Sequence, residues 1–109
     1  MDKRLNKIYE TRARILKAMA HPSRLFIIDS LAQRDYCVYE LTRLIGSDIS
    51  TVSKHLSILK NVGIVSIKKD KNNVYYHLKC SCVTKYFMCI DGVIKSNIEF
   101  HNQLSKSIK

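Results

Sequence analysis

The chain has 109 residues and a formal net charge of +10, from 19 Lys and Arg against 9 Asp and Glu. An apolar fraction of 46% and a charged fraction of 26% are those of an ordinary globular domain, while 3 Gly, 1 Pro and no Trp argue against disorder and against a loop-rich sandwich. The length allows one domain, residues 1–109, or one subunit of a small oligomer, and a partner subunit would add stability because so short a chain buries only about two thirds of its unfolded surface.

Leu5, Ile8, Tyr9, Arg12, Ile15, Leu16 and Met19 follow i, i+3, i+4 spacing, which predicts an amphipathic helix over the first twenty residues. His21-Pro22-Ser23 breaks that helix and opens a second, since Pro suits a first helical turn. The second helix carries Leu25, Phe26, Ile28 and Leu31 and fades near Ala32-Gln33. Tyr36-Cys37-Val38 reads as a short extended link, and residues 40–45 as a short helix ended by Gly46. Asp48 is a good N-cap for a helix to about Asn61, with Val52, His55, Leu56 and Leu59 on one face and Gly63 as its stop.

The period then changes from helical to alternating. Residues 64–69 and 74–79 read as two β-strands, joined by the turn Asp70-Lys71-Asn72-Asn73, in which Asn72 and Asn73 suit positive φ. After Cys82 the helical period returns through Val83, Phe87, Ile90, Ile94, Asn97, Ile98, His101 and Leu104. A subunit interface is the natural burial partner for so long a stripe. The expected dimer contacts are Leu5, Ile8, Ile90, Ile94, Ile98 and His101.

Other classes fall away. The longest unbroken apolar run, residues 86–90, is far short of the ~20 residues that span a bilayer. Met1-Asp2-Lys3-Arg4 leads into no hydrophobic signal region, which points to the cytoplasm and to reduced thiols rather than a disulfide framework. No Gly-rich phosphate loop, Gly-x-Ser-x-Gly or His-Glu-x-x-His is present, and no nucleophile–base pair stands out, so an enzyme is not expected.

Charge location says more than the total. Between Ile49 and Ile90 the only acid is Asp70, against Lys54, Lys60, Lys68, Lys69, Lys71, Lys79 and Lys85. Such a bias suits phosphate neutralisation, although any single lysine is as readily a solvated surface group. A short helix, a turn, a polar-faced helix and a basic hairpin make a winged helix-turn-helix: mainly α with a β-hairpin wing, dimerising through its first and last helices. The second helix of the motif reads bases near its N-terminus, where Ser50, Thr51, Ser53, Lys54 and His55 stand. Lys68, Lys69 and Lys71 of the wing are placed for flanking DNA backbone. The bland alternatives are capping for Ser50 and Thr51 and a half-buried structural role for His55.

The chain resembles the ArsR/SmtB family of winged-helix repressors. The resemblance is carried by residues 18–25 (AMAHPSRL), 37–41 (CVYEL), 49–59 (ISTVSKHLSIL), 63–65 (GIV) and 74–78 (VYYHL). It implies a homodimeric cytosolic repressor on a palindromic operator, released by an inducer, with His21 a structural helix-opening residue. One family site resembles Cys-Val-Cys-Asp-Leu, but here Tyr39 replaces the second thiol, so Cys37 is expected to be a small core residue. The last-helix zinc-type site of the family would place later ligands near Val93 and Ser96, which cannot coordinate.

Cys80, Cys82 and Cys89 remain, three thiols within ten residues. Three soft donors favour a thiophilic ion, and trivalent arsenic or antimony takes three thiolates. On a continuous helix Cys82 and Cys89 would lie about 10 Å apart along the axis. Binding one ion therefore needs residues 80–84 to be non-helical, with Thr84 capping a later-starting helix, or a ligand from elsewhere. Lys79 and Lys85 favour thiolates for either metal binding or redox chemistry. The alternatives left open are a redox or persulfide switch on the same cysteines, a cadmium, lead or zinc sensor using His77, His101 or Cys37 as a fourth ligand, simple interface packing, and a constitutive nucleic-acid packaging protein. No obligatory cofactor is expected; the partners are double-stranded operator DNA and a second copy of the chain, with no membrane.

Overall fold

The structure is a computed structural model and describes residues 1–107. Five helices and one hairpin follow in order: α1 (Lys3–Met19), α2 (Pro22–Gln33), α3 (Val38–Ile45), α4 (Ile49–Asn61), β1 (Val65–Asp70), β2 (Asn73–Leu78), a 3-10 turn (Ser81–Thr84) and α5 (Lys85–Ser107).

Local chemistry sets most boundaries. The Leu5 amide donates to Asp2 Oδ1 at 2.8 Å, which caps α1. At the start of α2 the Ser23 amide donates to His21 Nδ1 at 3.0 Å, with Pro22 in the first turn. His21 is therefore a capping residue, as its place in the helix-opening pattern implies. α3 begins two residues earlier than the sequence spacing suggests. The Cys37 amide donates to Glu40 Oε1 at 3.0 Å, and this reciprocal cap makes Val38 helical. The same bond, with the Arg34 guanidinium second, holds the Glu40 carboxyl below its usual range. Asp48 accepts from the Thr51 amide at 2.7 Å and from Ser50 Oγ at 3.3 Å, which fixes the start of α4.

The end of α4 is a left-handed glycine stop. Gly63, at φ +83°, donates to the Lys60 carbonyl at 3.0 Å, and the Ile64 amide donates to the Leu59 carbonyl at 3.1 Å. The chain turns there directly into the wing. β1 and β2 pair antiparallel from Val65↔Leu78 to Asp70↔Asn73, so the turn is the two residues Lys71-Asn72. The one left-handed residue is Lys71, at φ +57°, not Asn72 or Asn73. Asn73 is already paired with Asp70 as a strand residue, which leaves it no freedom to turn. A further antiparallel bridge, Tyr36↔Tyr76, ties the α2–α3 link to the wing. Beside it, His77 Nδ1 lies 2.7 Å from Asp35 Oδ1.

The core lies between α2, α3, α4 and the base of the wing. Ile27, Ile28, Leu41, Val52, Leu56 and Leu59 have no exposed surface, and Ile64, Val65 and Leu78 close the core from the wing side. One polar pairing is buried with them. His55, on the inner face of α4, is only 9% exposed. Its Nδ1 lies 3.1 Å from Arg24 Nη1, and its ring centroid is 4.4 Å from that of His21. Arginine only donates, so His55 Nδ1 accepts and the ring is neutral. Burial first, then the nearby His21 and Arg24, lowers the His55 pKa.

The outer helices are different. α5 buries none of its residues and α1 buries only Ala18 and Met19. The radius of gyration is 17.9 Å, against about 13 Å for a compact chain of this length, because α5 stands away from the body. Among the described residues, no helix is long and apolar enough to cross a membrane.

Two stability predictions follow from this packing. Leu56→Ala removes a fully enclosed side chain and is expected to cost about 2–5 kcal/mol, read from the urea midpoint. A depressed His55 pKa means that the unfolded chain takes up the proton first as pH falls. Stability is therefore full above the ordinary histidine range and declines as pH drops below it. Urea midpoints measured between about pH 7.5 and pH 5.5 should fall in the wild type, and fall less in His55→Asn.

Candidate nucleic-acid interface and cysteine site

The base-reading candidates separate into two groups. Ser50, Thr51 and Lys54 are exposed on the first turns of α4, and Ser53 is half-buried beside them. Ser50 and Thr51 also serve the Asp48 cap, Ser50 through its hydroxyl and Thr51 through its amide. His55 leaves the set of surface donors. It faces inward from α4, and its ring is committed to Arg24 and His21 rather than to solvent. The hydrophobic face that carries Val52, Leu56 and Leu59 carries His55 as well, which is why it turns in.

On the wing, Lys68, Lys69 and Lys71 are all exposed. Lys68 Nζ lies 3.9 Å from Asp35 Oδ2, so one wing lysine is loosely held by the α2–α3 link. Sequence reading missed this bracing of the wing: Asp35 with His77 and Lys68, Tyr36 with Tyr76, and the Arg34 guanidinium 3.7 Å above the Tyr36 ring. The extended reading of residues 36–38 was the one local sign of it. Arg24 was also missed, because a single polar residue in an apolar helix carries no periodic signal.

Cys37 and Cys89 are free thiols, and Cys80 and Cys82 lie against each other, close enough to pair. Cys37 is half-buried at the start of α3, and Tyr39 beside it is exposed. Glu40 is taken up by the α3 cap and by Arg34, at 3.0 Å, so no complete ligand set forms there. Cys80, Cys82 and Cys89 are exposed. Residues 81–84 form a 3-10 turn that runs straight into α5, so the stretch near Cys82 is helical, in a tighter form, and is not the non-helical link that one shared ion calls for. Thr84 Oγ1 donates to the Ser81 carbonyl at 2.8 Å within that turn, so it does not cap α5 as expected. Cys82 and Cys89 line one surface depression of about 280 Å³ with Lys85 and Tyr86; Cys80 does not reach it. Among the described residues no three His, Cys, Asp or Glu side chains converge as a metal site. The donor chemistry suits a thiophilic ion, but the three thiols are not gathered in this conformation.

The expected interface residues, Leu5, Ile8, Ile90, Ile94, Ile98 and His101, are all exposed on α1 and α5. Tyr9, Leu16, Met88, Val93 and Phe100 are exposed apolar groups on the same helices. Leu25, Phe26, Phe87 and Ile94 line an open cleft of about 640 Å³ between α2 and α5.

Comparison with known proteins bears on this arrangement. The sequence profile described as "Bacterial regulatory protein, arsR family" matches residues 21–67, from the α2 cap to the first wing strand. The nodulation protein NolR of Rhizobium meliloti is 38% identical over 84 residues, covering 77% of this chain and 69% of that protein. The biofilm growth-associated repressor of Xylella fastidiosa is 33% identical over 72% of this chain and 65% of that protein. This chain thus spans about two thirds of the length of these relatives. The solution structure of the homodimeric winged helix-turn-helix DNA-binding domain Mb0332 from Mycobacterium bovis superposes with a TM-score of 0.77 at 29% identity, covering 93% of this chain and 94% of that one. The chain belongs to the ArsR family of bacterial regulatory proteins, which are DNA-binding transcription regulators and not enzymes.

Proposed function

We propose that this chain is a homodimeric repressor that grips operator DNA through α4 and the wing and is released by a thiophilic inducer. The inducer best matched to the donor set is arsenite or antimonite, bound by Cys80, Cys82 and Cys89. The observation that carries this reading is position. Three exposed thiols lie where the wing ends and the unburied α5 begins.

The dimer is supported by the uncovered apolar faces of α1 and α5 and by the homodimeric state of the Mycobacterium bovis neighbour. Leu5, Ile8, Ile90, Ile94, Ile98 and His101 form its proposed contacts. Two copies of α4 would then face successive major grooves, about one DNA turn apart. Ser50, Thr51, Ser53 and Lys54 would meet base edges or phosphates, and Lys68, Lys69 and Lys71 the flanking backbone.

Closing three thiolates on one ion needs Cys80 to join the depression that Cys82 and Cys89 share. The 3-10 turn is the segment that must give. Its rearrangement would tilt α5 against the wing and so change the spacing of the two α4 helices. A coupling of about 1–3 kcal/mol is enough to empty an operator.

One observation favours a second reading. Cys82 and Cys89 alone share the depression, with Lys85 beside them. A two-electron oxidant such as a peroxide would take two electrons and two protons from this pair and leave a Cys82–Cys89 disulfide. The two readings differ at Cys80, which the metalloid needs and the disulfide does not.

Fluorescence anisotropy of the reduced protein on the DNA upstream of its own gene separates them. Release at about one arsenite per subunit, abolished in Cys80→Ser, Cys82→Ser and Cys89→Ser, is the expected result. Release by peroxide that survives Cys80→Ser, with arsenite inert, would replace the metalloid by the dithiol switch. For the dimer, Ile94→Asp should shift the sedimentation coefficient to that of a monomer, weaken operator binding, and give a lower unfolding midpoint that no longer depends on protein concentration.

A further inference from the structure

Arg24 lies in the first turn of α2, half-buried and in contact with α4 through His55. Its Nη1 donates to His55 Nδ1 at 3.1 Å. The other edge of the guanidinium, Nε with Nη2, has no hydrogen-bond partner among the described residues, and Nε is shut off from solvent. No carboxylate pairs with Arg24 among those residues either. With Nη1 on His55 and Nε enclosed, Nη2 is the guanidinium donor left for an anion, and the charge itself is met by no carboxylate among the described residues.

Arg24 lines a small cleft of about 240 Å³ together with Ser50, Thr51, Lys54, His55 and Ile58. Two permanent cations and two hydroxyls therefore converge on one volume the size of a phosphate and its neighbours. Asp48 is the acid at this end of α4, and its Oδ1 already accepts from the Thr51 amide and from Ser50 Oγ. The Thr51 amide is thus spent, and side chains rather than the helix end supply the free donors.

We propose that this cleft is a phosphodiester clamp, in which Arg24 and Lys54 of each subunit take one backbone phosphate of bound DNA. The proposal rests on the DNA-binding reading above and adds Arg24 to it. His55 is a positioning residue: it accepts from Nη1 and so fixes the guanidinium in the cleft wall. Ser50 and Thr51 hydroxyls flank the phosphate. Because a phosphate contact fixes register and carries no sequence, Arg24 contributes affinity without specificity. The sequence thus sets a reader, α4, beside a ruler, Arg24.

Anisotropy on the upstream DNA and on a shuffled duplex, over a series of salt concentrations, tests this. Arg24→Gln should weaken both duplexes by the same factor and lower the slope of log affinity against log salt by about one per subunit. His55→Asn, which keeps an acceptor near the position of Nδ1, should retain the wild-type affinity, whereas His55→Leu should weaken both duplexes equally. An unchanged slope in Arg24→Gln, or a loss confined to the upstream DNA, overturns the clamp and leaves the DNA-binding reading standing. A wild type that binds neither duplex overturns both. If Arg24→Gln does not fold, the wild-type Arg24 Nε–Hε resonance, assigned with Arg24→Lys, gives the answer. Its movement on saturation with either duplex supports the clamp, and a resonance unmoved at saturation overturns it.

Discussion

The seating of α4 is the constraint on which the rest of the molecule depends. One face of this helix closes the core with Val52, Leu56 and Leu59, and the other must stay clear for DNA. A single helix can do both only if its rotation and its ends are fixed. Asp48 fixes the start, and the Gly63 stop fixes the end within one residue of the wing. The wing is then anchored by Ile64, Val65 and Leu78, which belong to the same core. Reading helix and wing therefore move as one body, and the bridges from Asp35 and Tyr36 brace the wing from its other side.

The second constraint is what this core does not cover. α5 is 23 residues long and contributes no buried side chain within the monomer. Val83 and Phe87, around its start, are the partly buried apolar groups that pack against the core. Beyond them the helix runs free with Val93, Ile94, Ile98 and Phe100 more than half exposed. Exposure on that scale over one helix is the signature of an interface rather than of scattered surface apolar groups. The uncovered apolar surface thus lies in the segment next to the thiols, and the folded core in the segment that carries α4 and the wing.

Most of this plan was legible in the sequence because it rests on period. The 3.6-residue spacing from Leu5 to Met19, the inner face of α4 and the switch to alternation at residue 64 each match an observed element. Caps were legible where a short polar residue meets a run of apolar ones, as at Asp48. Pairings across the fold left no such trace. Cys37 and Glu40 start α3 early because of a reciprocal hydrogen bond, and Lys71 turns the hairpin because the register pairs Asp70 with Asn73. His55 sits at a position that helical spacing marks as both inward and near the reading turn; only Arg24, thirty-one residues away, decides between the two. The cysteine spacing located the joint, where one shared ion calls for a non-helical stretch and the chain forms a 3-10 turn instead.

The weakness of that joint is what supports the proposed switch at the thiols. Residues Ser81–Thr84 have no fully buried side chain, touch the core only through partly buried Val83, and hold one side-chain hydrogen bond, from Thr84 to the Ser81 carbonyl. On one side stands a wing clamped by the core, and on the other a helix whose apolar face the monomer leaves uncovered. A ligand shifts an equilibrium only by its differential affinity for the two states. Binding at a rigid element would spend that difference on breaking packing, whereas binding at this turn spends it on reorienting α5. The residues that read DNA keep their caps and their core throughout. On the proposed function, what changes is the distance between the two α4 helices of a dimer, a quantity to which a palindromic operator is sensitive.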